Sequence, residues 1–216
     1  MINIAIADAN PLMRHGIKDT ISSVEGFEVT IDVSNGMELL DSLKKMEDLP
    51  DICILDTDMP VMNGYETLKE LKKNWSSIRV LIFSMFYTEF SVYQSLTNGA
   101  NGCLEKNCNQ RRLLHALSSI YYSEYYYSET IAKKVFELQH SRSKLLPHIT
   151  TREMEFLHHV CSDLSYKEIG DQMNVSVRTV ETYRDALFTK FNIKTRTGLA
   201  MFALQNGIVP IHKAKD

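Results

Sequence analysis

The sequence lacks the features of membrane, secreted and disulfide-stapled proteins. It has no run of about eighteen apolar residues, so no transmembrane helix is expected. Its first residues do not combine a basic region, an apolar stretch and a small-residue cleavage site, so we expect no secretion signal. The four cysteines form no C-x-x-C pair, and 216 residues can bury a core without disulfides. These absences predict a cytoplasmic protein with reduced thiols and no membrane partner.

A strong excess of one charge is also missing. The net charge of −3 disfavours a uniformly basic protein that wraps nucleic acid. The average conceals a difference along the chain, because residues 1–122 contain 11 Lys and Arg against 16 Asp and Glu. Residues 123–147 and 148–216 each carry one basic residue in excess. This asymmetry indicates separate parts with separate tasks.

The first 122 residues alternate between short apolar segments and amphipathic helical segments. The predicted strands span residues 2–7, 27–33, 51–55, 79–83 and 102–105, and the predicted helices span 11–24, 36–46, 64–73, 89–97 and 109–120. Such alternation is typical of an α/β fold with helices on both faces of a parallel sheet. We therefore predict a doubly wound, five-stranded parallel sheet.

Polar side chains follow four of these strands, namely Asp8, Asp56, Ser84 and Lys106. Ligands of open parallel sheets bind outside the carboxyl ends of the strands, so we expect these residues to converge on one site. Phosphoryl chemistry uses such a set: a carboxylate nucleophile, a second carboxylate for a hard divalent cation, and a hydroxyl and an ammonium for phosphate oxygens. Each residue alone is more often a turn residue. Their joint position favours a site.

The segments IAIADANPLMRHG, PDICILDTDMPVMNGYE, VLIFSMF and GANGCLEK resemble the receiver domain of two-component response regulators. The resemblance covers about residues 1–120 and implies a flavodoxin-like fold. It implies that Asp56 accepts a phosphoryl group from a histidine kinase or a small phosphodonor. Ser84 would be the switch hydroxyl that binds the phosphate, and Lys106 its cation partner. The implied cofactor is Mg²⁺, with Asp8, Asp56 and Asp58 as candidate ligands.

Two residues depart from the family pattern. Ala9 stands where the family usually has a second acid that binds the metal, so Mg²⁺ binding is expected to be weak. Asp58 either supplies the lost charge or is an exposed turn acid. Cys103 stands where the family usually places an aromatic side chain that swings inward on phosphorylation. These departures leave an alternative, a receiver that works without phosphate and regulates DNA binding through protein contacts.

An enzyme is a further alternative, because Asp56-Thr57-Asp58 also resembles the D-x-D of haloacid-dehalogenase-type phosphatases. Those enzymes place the motif after the first strand and add a cap and further acidic motifs. The sequence contains neither. We therefore expect no enzymatic activity.

Residues 123–147 are predicted to be a connector between two domains. Five tyrosines lie at positions 121, 122, 125, 126 and 127, and no Lys or Arg lies among them, so base stacking in a basic groove is disfavoured. We expect them to cover the end of the last receiver helix and to support a domain interface. A helix over 129–139 and a linker over 140–148 follow.

Residues 148–216 predict four short helices. Thr150 with Glu153 and Ser165 with Glu168 fit capping boxes that begin helices over 150–162 and 165–173. Ser176 caps a third helix that runs to residue 191, and a fourth spans 196–206 and ends at Gly207. The second and third helices, joined by a tight turn, describe a helix-turn-helix that can enter a major groove.

Residues 149–209 resemble the LuxR-type domain of the NarL/FixJ response-regulator family over its full length, and S-x-R-T-V-E-T-Y-R corresponds to its recognition helix. The resemblance implies base contacts by Arg178, Glu181, Thr182 and Asp185. It implies phosphate contacts by Lys167, Arg184, Lys190, Lys194 and Arg196. The whole chain is thus expected to be a homodimeric response regulator that binds double-stranded DNA and controls transcription, with input by phosphorylation of Asp56.

Overall fold

The computed structural model describes all residues except 86, 88, 130, 134–148, 206–207 and 210–216. The chain divides into two compact units, Met1–Glu137 and Leu138–Asp216. In the described part of the chain, no helix combines the length and apolar character that crossing a bilayer requires.

The first unit is built on a parallel sheet of six strands in the order β2-β1-β3-β4-β5-β6. Its strands are β1 (Ile2–Ala7), β2 (Phe27–Val33), β3 (Ile52–Leu55), β4 (Arg79–Ser84), β5 (Gly102–Glu105) and β6 (Tyr126–Tyr127). The five predicted strands are all present. The predicted number was one short, because a two-residue strand is too brief to show the alternation from which strands are recognised.

Five described helices flank this sheet: α1 (Pro11–Ser22), α2 (Gly36–Leu43), α3 (Gly64–Asn74), α4 (Glu89–Thr97) and α5 (Gln110–Ser123). Four of them begin at an asparagine whose side chain accepts a backbone N–H of the first turn, namely Asn10, Asn35, Asn63 and Asn109. Each of these caps follows the carboxyl end of a strand. The helices therefore begin at the edge of the sheet that carries the candidate site residues.

The core lies on both faces of the sheet, because successive strand residues point to opposite sides. Ala7, Leu55 and Ile82 belong to a buried cluster on one face that includes Leu39 of α2 and Leu68 of α3. Alternate strand residues, such as Ile6, Ile54 and Phe83, belong to a second cluster with side chains of α1 and α5. The sheet is therefore doubly wound, as predicted, and both faces of its central strands are buried.

The predicted connector begins within the first unit. Tyr126 and Tyr127 pair with β5, and Ile131 is wholly buried in the cluster on the α2–α3 face. Ser128 accepts the N–H of Ala132 at 2.7 Å, which is the start of a helical turn. Residues 130 and 134–139 of the predicted helix and the whole predicted linker over 140–148 lie outside the described residues.

The second unit contains four described helices: α6 (Thr151–Val160), α7 (Tyr166–Met173), α8 (Val177–Phe191) and α9 (Arg196–Gln205). Both predicted capping boxes are present, at Thr150 with Glu153 and at Ser165 with Glu168. The helices enclose a small core that includes Phe156, Ile169, Val180, Leu187 and Leu199. The predicted C-terminal glycine of the last helix, Gly207, lies outside the described residues.

Helices α7 and α8 form a helix-turn-helix. Asn174 ends α7 in the left-handed conformation with φ of 54°, and the Val175 N–H donates to the Gly170 carbonyl at 2.9 Å. A Cβ atom at Gly170 would lie 2.8 Å from the Val175 carbonyl oxygen, so a larger residue would open the turn. The absence of a side chain at Gly170 thus allows the two helices to approach each other closely.

Candidate functional site

Three buried charged side chains meet at the carboxyl edge of the sheet. Asp8 follows β1, Asp56 follows β3 and Lys106 follows β5. The Lys106 Nζ lies 2.7 Å from Asp8 Oδ2 and 2.8 Å from Asp56 Oδ2. Residues far apart in the sequence thus form one compact cluster, because β3 pairs with β1 on one side and the β4–β5 pair follows on the other.

Backbone hydrogen bonds fix the positions of these residues. The Asp56 N–H donates to the Ala7 carbonyl at 2.9 Å, and the Lys106 N–H donates to the Ser84 carbonyl at 2.9 Å. The Asn10 N–H donates to Asp8 Oδ1 at 2.8 Å. The hydrogen bonds of the parallel sheet therefore continue one residue beyond β3 and β5, and they fix the backbone that carries Asp56 and Lys106.

Two hydroxyls lie at the same edge. Ser84 Oγ and Thr57 Oγ1 are 3.0 Å apart, and both residues are buried. Ser84 ends β4 between the strands that lead to Asp56 and Lys106. The structure therefore places the predicted hydroxyl at the same edge as the predicted acceptor and the predicted ammonium.

The electrostatics of the cluster favour a basic carboxylate. Burial raises the pKa of Asp56 to about 6, and the nearby Asp8 acts in the same direction, whereas Lys106 opposes the shift. Near neutral pH the carboxylate is still mostly ionised. It is therefore available as a nucleophile and is more basic than an exposed aspartate.

The pair Asp8 and Asp56 suits a hard cation. Asp8 Oδ2 is buried, and its partner within the described residues is the Lys106 ammonium at 2.7 Å. Mg²⁺ commonly takes one or two protein carboxylates and keeps several waters. Ala9 is partly buried against the core and offers no side-chain oxygen.

The Asp58 side chain does not join these two carboxylates. In the described part of the chain, no three His, Cys, Asp or Glu side chains are arranged to hold a metal. The contact of Asp58 with the cluster is a backbone one, in which its N–H donates to Asp56 Oδ1 at 3.3 Å. The two residues that fit a Mg²⁺ ion are therefore Asp8 and Asp56.

Gly64 closes the loop that follows the acceptor strand. Its N–H donates to the Thr57 carbonyl at 3.1 Å, and a Cβ atom there would overlap the Asp56 carbonyl oxygen and lie 2.8 Å from Thr57 Cα. The backbone of α3 therefore packs directly on the backbone that carries Asp56, which only glycine permits.

In the second unit, α8 presents a polar outer face. Val180 and Leu187 are buried, whereas Arg178, Thr182 and Asp185 are exposed. The Glu181 side chain is 47% exposed, and the Thr182 hydroxyl donates to the Arg178 carbonyl at 2.9 Å. The four predicted base-contacting residues, Arg178, Glu181, Thr182 and Asp185, are thus all accessible.

Two of the predicted phosphate-contacting arginines are engaged within the unit. The Arg184 and Arg196 guanidinium carbons lie 5.4 and 5.5 Å from the centre of the Tyr166 ring. Arg196 also donates to the Ser162 carbonyl at 2.8 Å, and Arg184 forms an ion pair of 2.8 Å with Asp185. Tyr166 therefore ties α7 to both α8 and α9.

Lys190 is engaged as well. Its Nζ lies 2.6 Å and 2.7 Å from the two carboxylate oxygens of the buried Glu153. Burial raises the pKa of Glu153, but hydrogen bonds from Lys190 and Thr150 outweigh that effect and lower it. By contrast, Lys167, Arg178 and Lys194 are exposed. The predicted basic residues thus fall into an internal group and an accessible group.

Sequence reasoning missed Thr57 and Tyr166 as residues of these sites. Thr57 follows the acceptor directly, so its position was available, but the hydroxyl contact with Ser84 is not visible in a pattern. Tyr166 gave no signal at all, because its two guanidinium partners lie 18 and 30 positions further along the chain.

The structure brings two carboxylates and an ammonium together at the strand ends of the first unit, and the second unit contains a helix-turn-helix. Residues 4–118 match the response regulator receiver domain family, and residues 147–203 match the luxR family of bacterial regulatory proteins. The chain is 32% identical over 206 residues to the nitrate/nitrite response regulator protein homolog of Haemophilus influenzae, across 95% of this chain and 98% of that protein. It is 26% identical to the nitrate/nitrite response regulator protein NarP of Escherichia coli, across 94% of each.

Among solved structures, the chain is similar to RcsB from Salmonella enterica serovar Typhimurium bound to promoter rprA in the presence of the phosphomimetic BeF3−. The TM-score is 0.69 at 19% identity, across 93% of this chain and 97% of that one, and the likeness is one of fold. The chain therefore belongs to the response regulators and combines a receiver domain with a LuxR-type domain. The two relatives named above are both response regulators.

Proposed function

We propose that the chain is a DNA-binding transcription regulator whose input is phosphorylation of Asp56. The observation that carries this proposal is the buried cluster in which one ammonium, that of Lys106, contacts both Asp8 and Asp56. Burying two carboxylates beside one ammonium at a sheet edge is costly, and a carboxylate nucleophile next to a cation suits phosphoryl transfer. The helix-turn-helix in the same chain supplies the output.

The chemistry follows from the positions of the groups. An Asp56 carboxylate oxygen attacks the phosphorus of a phosphohistidine or an acyl phosphate, and the bond from phosphorus to the donor breaks with its electron pair leaving on the donor. Lys106 neutralises a phosphoryl oxygen, and the Ser84 hydroxyl donates to another. Bound Mg²⁺, held by Asp8 and Asp56, would offset the negative charge that donor and acceptor share.

For the DNA unit, we assign base contacts to Arg178, Glu181, Thr182 and Asp185. Arg178 suits guanine, and the two carboxylates accept from cytosine N4. We assign phosphate contacts to Lys167 and Lys194. Because Arg184, Lys190 and Arg196 are engaged within the unit, we assign Arg184 and Lys190 the role of holding α8 in place and Arg196 that of holding α9.

The proposed assembly is a cytoplasmic homodimer on a near-palindromic site, since two-fold symmetric proteins of this kind read two half-sites. A structure of the similar protein RcsB contains two dimers bound to two parallel DNAs, which supports a dimer. The proposed domains are a receiver at 1–122, a connector at 123–147 and a DNA-binding domain at 148–216. The burial of Ile131 in the first unit implies that the connector begins as part of the receiver fold.

A second candidate is a receiver that acts without phosphate. Ala9 favours it because the missing acid weakens Mg²⁺ binding, and the small Cys103 favours it because it cannot act as a bulky switch. In this case Asp56 and Lys106 would form a structural ion pair, and partner proteins would control DNA binding.

One experiment separates the two candidates. The full chain is incubated with Mg²⁺ and acetyl phosphate or beryllofluoride, and intact mass, gel filtration and DNA binding are measured, with Asp56→Asn as the control. We expect an adduct on the wild type only, with a shift towards dimer and tighter DNA binding. The absence of both an adduct and a change in DNA binding would exclude the phosphoryl input and leave the phosphate-independent candidate.

A further inference from the structure

Tyr87 lies in the segment that joins β4, which ends at Ser84, to α4. It follows Ser84 by three residues and precedes the first residue of α4 by two. Its ring packs against the buried cluster that contains Cys103 of β5 and Val92 of α4. Tyr87 thus packs against a cluster to which both β5 and α4 contribute side chains.

The Tyr87 hydroxyl joins the main chains of two strands. It lies 2.8 Å from the Ile82 carbonyl oxygen and 3.2 Å from that of Leu104, and it accepts the Leu104 N–H at 3.1 Å. Ile82 precedes Ser84 by two residues, and Leu104 precedes Lys106 by two residues. The hydroxyl is therefore bonded to both the strand that ends at Ser84 and the strand that leads to Lys106.

The contacts of Cys103 continue from Tyr87 towards α4. Burial raises the pKa of the Cys103 thiol to about 12, and hydrogen bonds with the hydroxyls of Ser95 and Tyr87 oppose that shift. Ser95 is wholly buried and donates to the Ser91 carbonyl at 2.8 Å. A buried chain of polar contacts therefore runs from the main chain of β5 through Tyr87 and Cys103 to α4.

We propose that Tyr87 couples the state of the Asp56–Lys106 site to α4. A group that moves the Lys106 or Ser84 strand end also moves Leu104 or Ile82, and the Tyr87 hydroxyl follows because it is bonded to both. The contacts of Tyr87 with Cys103 and of Cys103 with Ser95 then carry the change to α4. Tyr87 is a positioning residue, since its hydroxyl bonds to the main chain and not to the reacting carboxylate.

Hydrogen–deuterium exchange of the full chain tests this coupling with the variant Tyr87→Phe, which keeps the ring and removes the hydroxyl. Two changes at the site serve as stimuli: beryllofluoride with Mg²⁺, and the substitution Asp56→Asn, which alters the partner of Lys106 without any ligand. We expect the Leu104 amide to exchange about fivefold faster in Tyr87→Phe. We also expect the exchange response over residues 89–97 to either stimulus to fall to about half or less.

Tyr127→Phe is the matched control, because Tyr127 packs against the same cluster from β6, outside the β4–β5 pair. It should retain the wild-type response. The measured quantity is the response to the stimulus, which a residue with a purely structural role would leave unchanged. An equal response in Tyr87→Phe and the wild type overturns the coupling, as does the absence of any response to Asp56→Asn in the wild type.

The coupling rests on the proposed function in one respect only, namely that phosphorylation of Asp56 is the natural signal. A wild type that forms no beryllofluoride adduct contradicts the phosphoryl input. In that case the Asp56→Asn arm still decides whether Tyr87 connects Lys106 with α4.

Discussion

At the scale of single residues, the cluster at the strand ends contains two carboxylates, Asp8 and Asp56, and one ammonium, Lys106. When Asp8 and Asp56 are both ionised, Lys106 neutralises one of them and leaves one negative charge in a buried place. Such a charge is costly unless a cation joins it or a proton neutralises it. A divalent cation would turn the local balance positive and would then favour a phosphoryl group. Burial, and to a smaller extent the nearby Asp8, raise the pKa of Asp56, while Lys106 opposes the shift.

Because the pKa of Asp56 is raised in the folded chain, the stability of the receiver depends on pH. The folded-state pKa of Asp56, about 6, lies above its ordinary value of 3.8, so the folded chain binds the proton more tightly than the unfolded chain. The free energy of unfolding should therefore fall as the pH rises from about 4 to about 6. The substitution Asp56→Asn removes this loss of stability. Above about pH 6, its free energy of unfolding should therefore exceed that of the wild type by about 1–3 kcal/mol.

Urea unfolding with EDTA at about pH 5 and about pH 7.5 measures the difference, which should be larger at the higher pH. Asp41→Asn is the control, because Asp41 is exposed and pairs with Lys44 at the surface. If Asp56→Asn gains the same stability at both values, Asp56 does not have a raised pKa.

Gly64 gives a second prediction at this scale. Gly64→Ala would place a methyl group against the Asp56 carbonyl oxygen, so we expect a loss of about 2 kcal/mol in the free energy of unfolding and slower adduct formation on Asp56. Gly16→Ala is the matched control. Gly16 lies within α1 with no atom within 4 Å of the added Cβ, so alanine there should stabilise by about 0.5–1 kcal/mol. Equal effects of the two substitutions would contradict the close packing of α3 on the acceptor strand.

At the scale of elements, the sequence pattern predicted most of the helices and strands because each is long enough to show its period. Strand β6 was missed because Tyr126 and Tyr127 are too few for alternation, although tyrosine favours strands. The convergence of Asp8, Asp56, Ser84 and Lys106 was predictable from topology alone. The roles of the basic residues were not, since a lysine on a helix face looks the same whether it meets a phosphate or a buried glutamate.

Lys190 and Lys194 make that distinction testable. Lys190→Met leaves Glu153 buried and unpaired, so α6 and α8 should exchange their amides faster, with a local loss of about 2–4 kcal/mol. Lys194→Met should leave exchange unchanged and should lower the affinity for DNA several-fold. Hydrogen exchange and DNA titrations on the full chain measure both. The assignment is wrong if Lys190→Met exchanges like the wild type and weakens DNA binding as Lys194→Met does.

At the scale of the whole molecule, the charge distribution indicates that a single chain binds DNA weakly. The first 122 residues have five acidic residues in excess, and the last 69 have one basic residue in excess. The accessible predicted cations of one chain are Lys167, Arg178 and Lys194. Pairing two chains doubles the number of phosphate contacts, so affinity should depend on assembly, and a receiver that controls pairing would control DNA binding.

The salt dependence of DNA binding measures how many cations take part. If each chain of a dimer uses Lys167 and Lys194, about four phosphates are neutralised, and log K should fall with log salt at a slope of about −4. If Arg184, Lys190 and Arg196 also contacted phosphates, about ten would be neutralised and the slope would approach about −9. Titration of one duplex with the full chain over a range of salt concentrations, with gel filtration to fix the number of chains bound, gives the slope. A slope near about −9 would show that Arg184, Lys190 and Arg196 contact DNA phosphates, because internal ion pairs and ring contacts release no counterions from DNA.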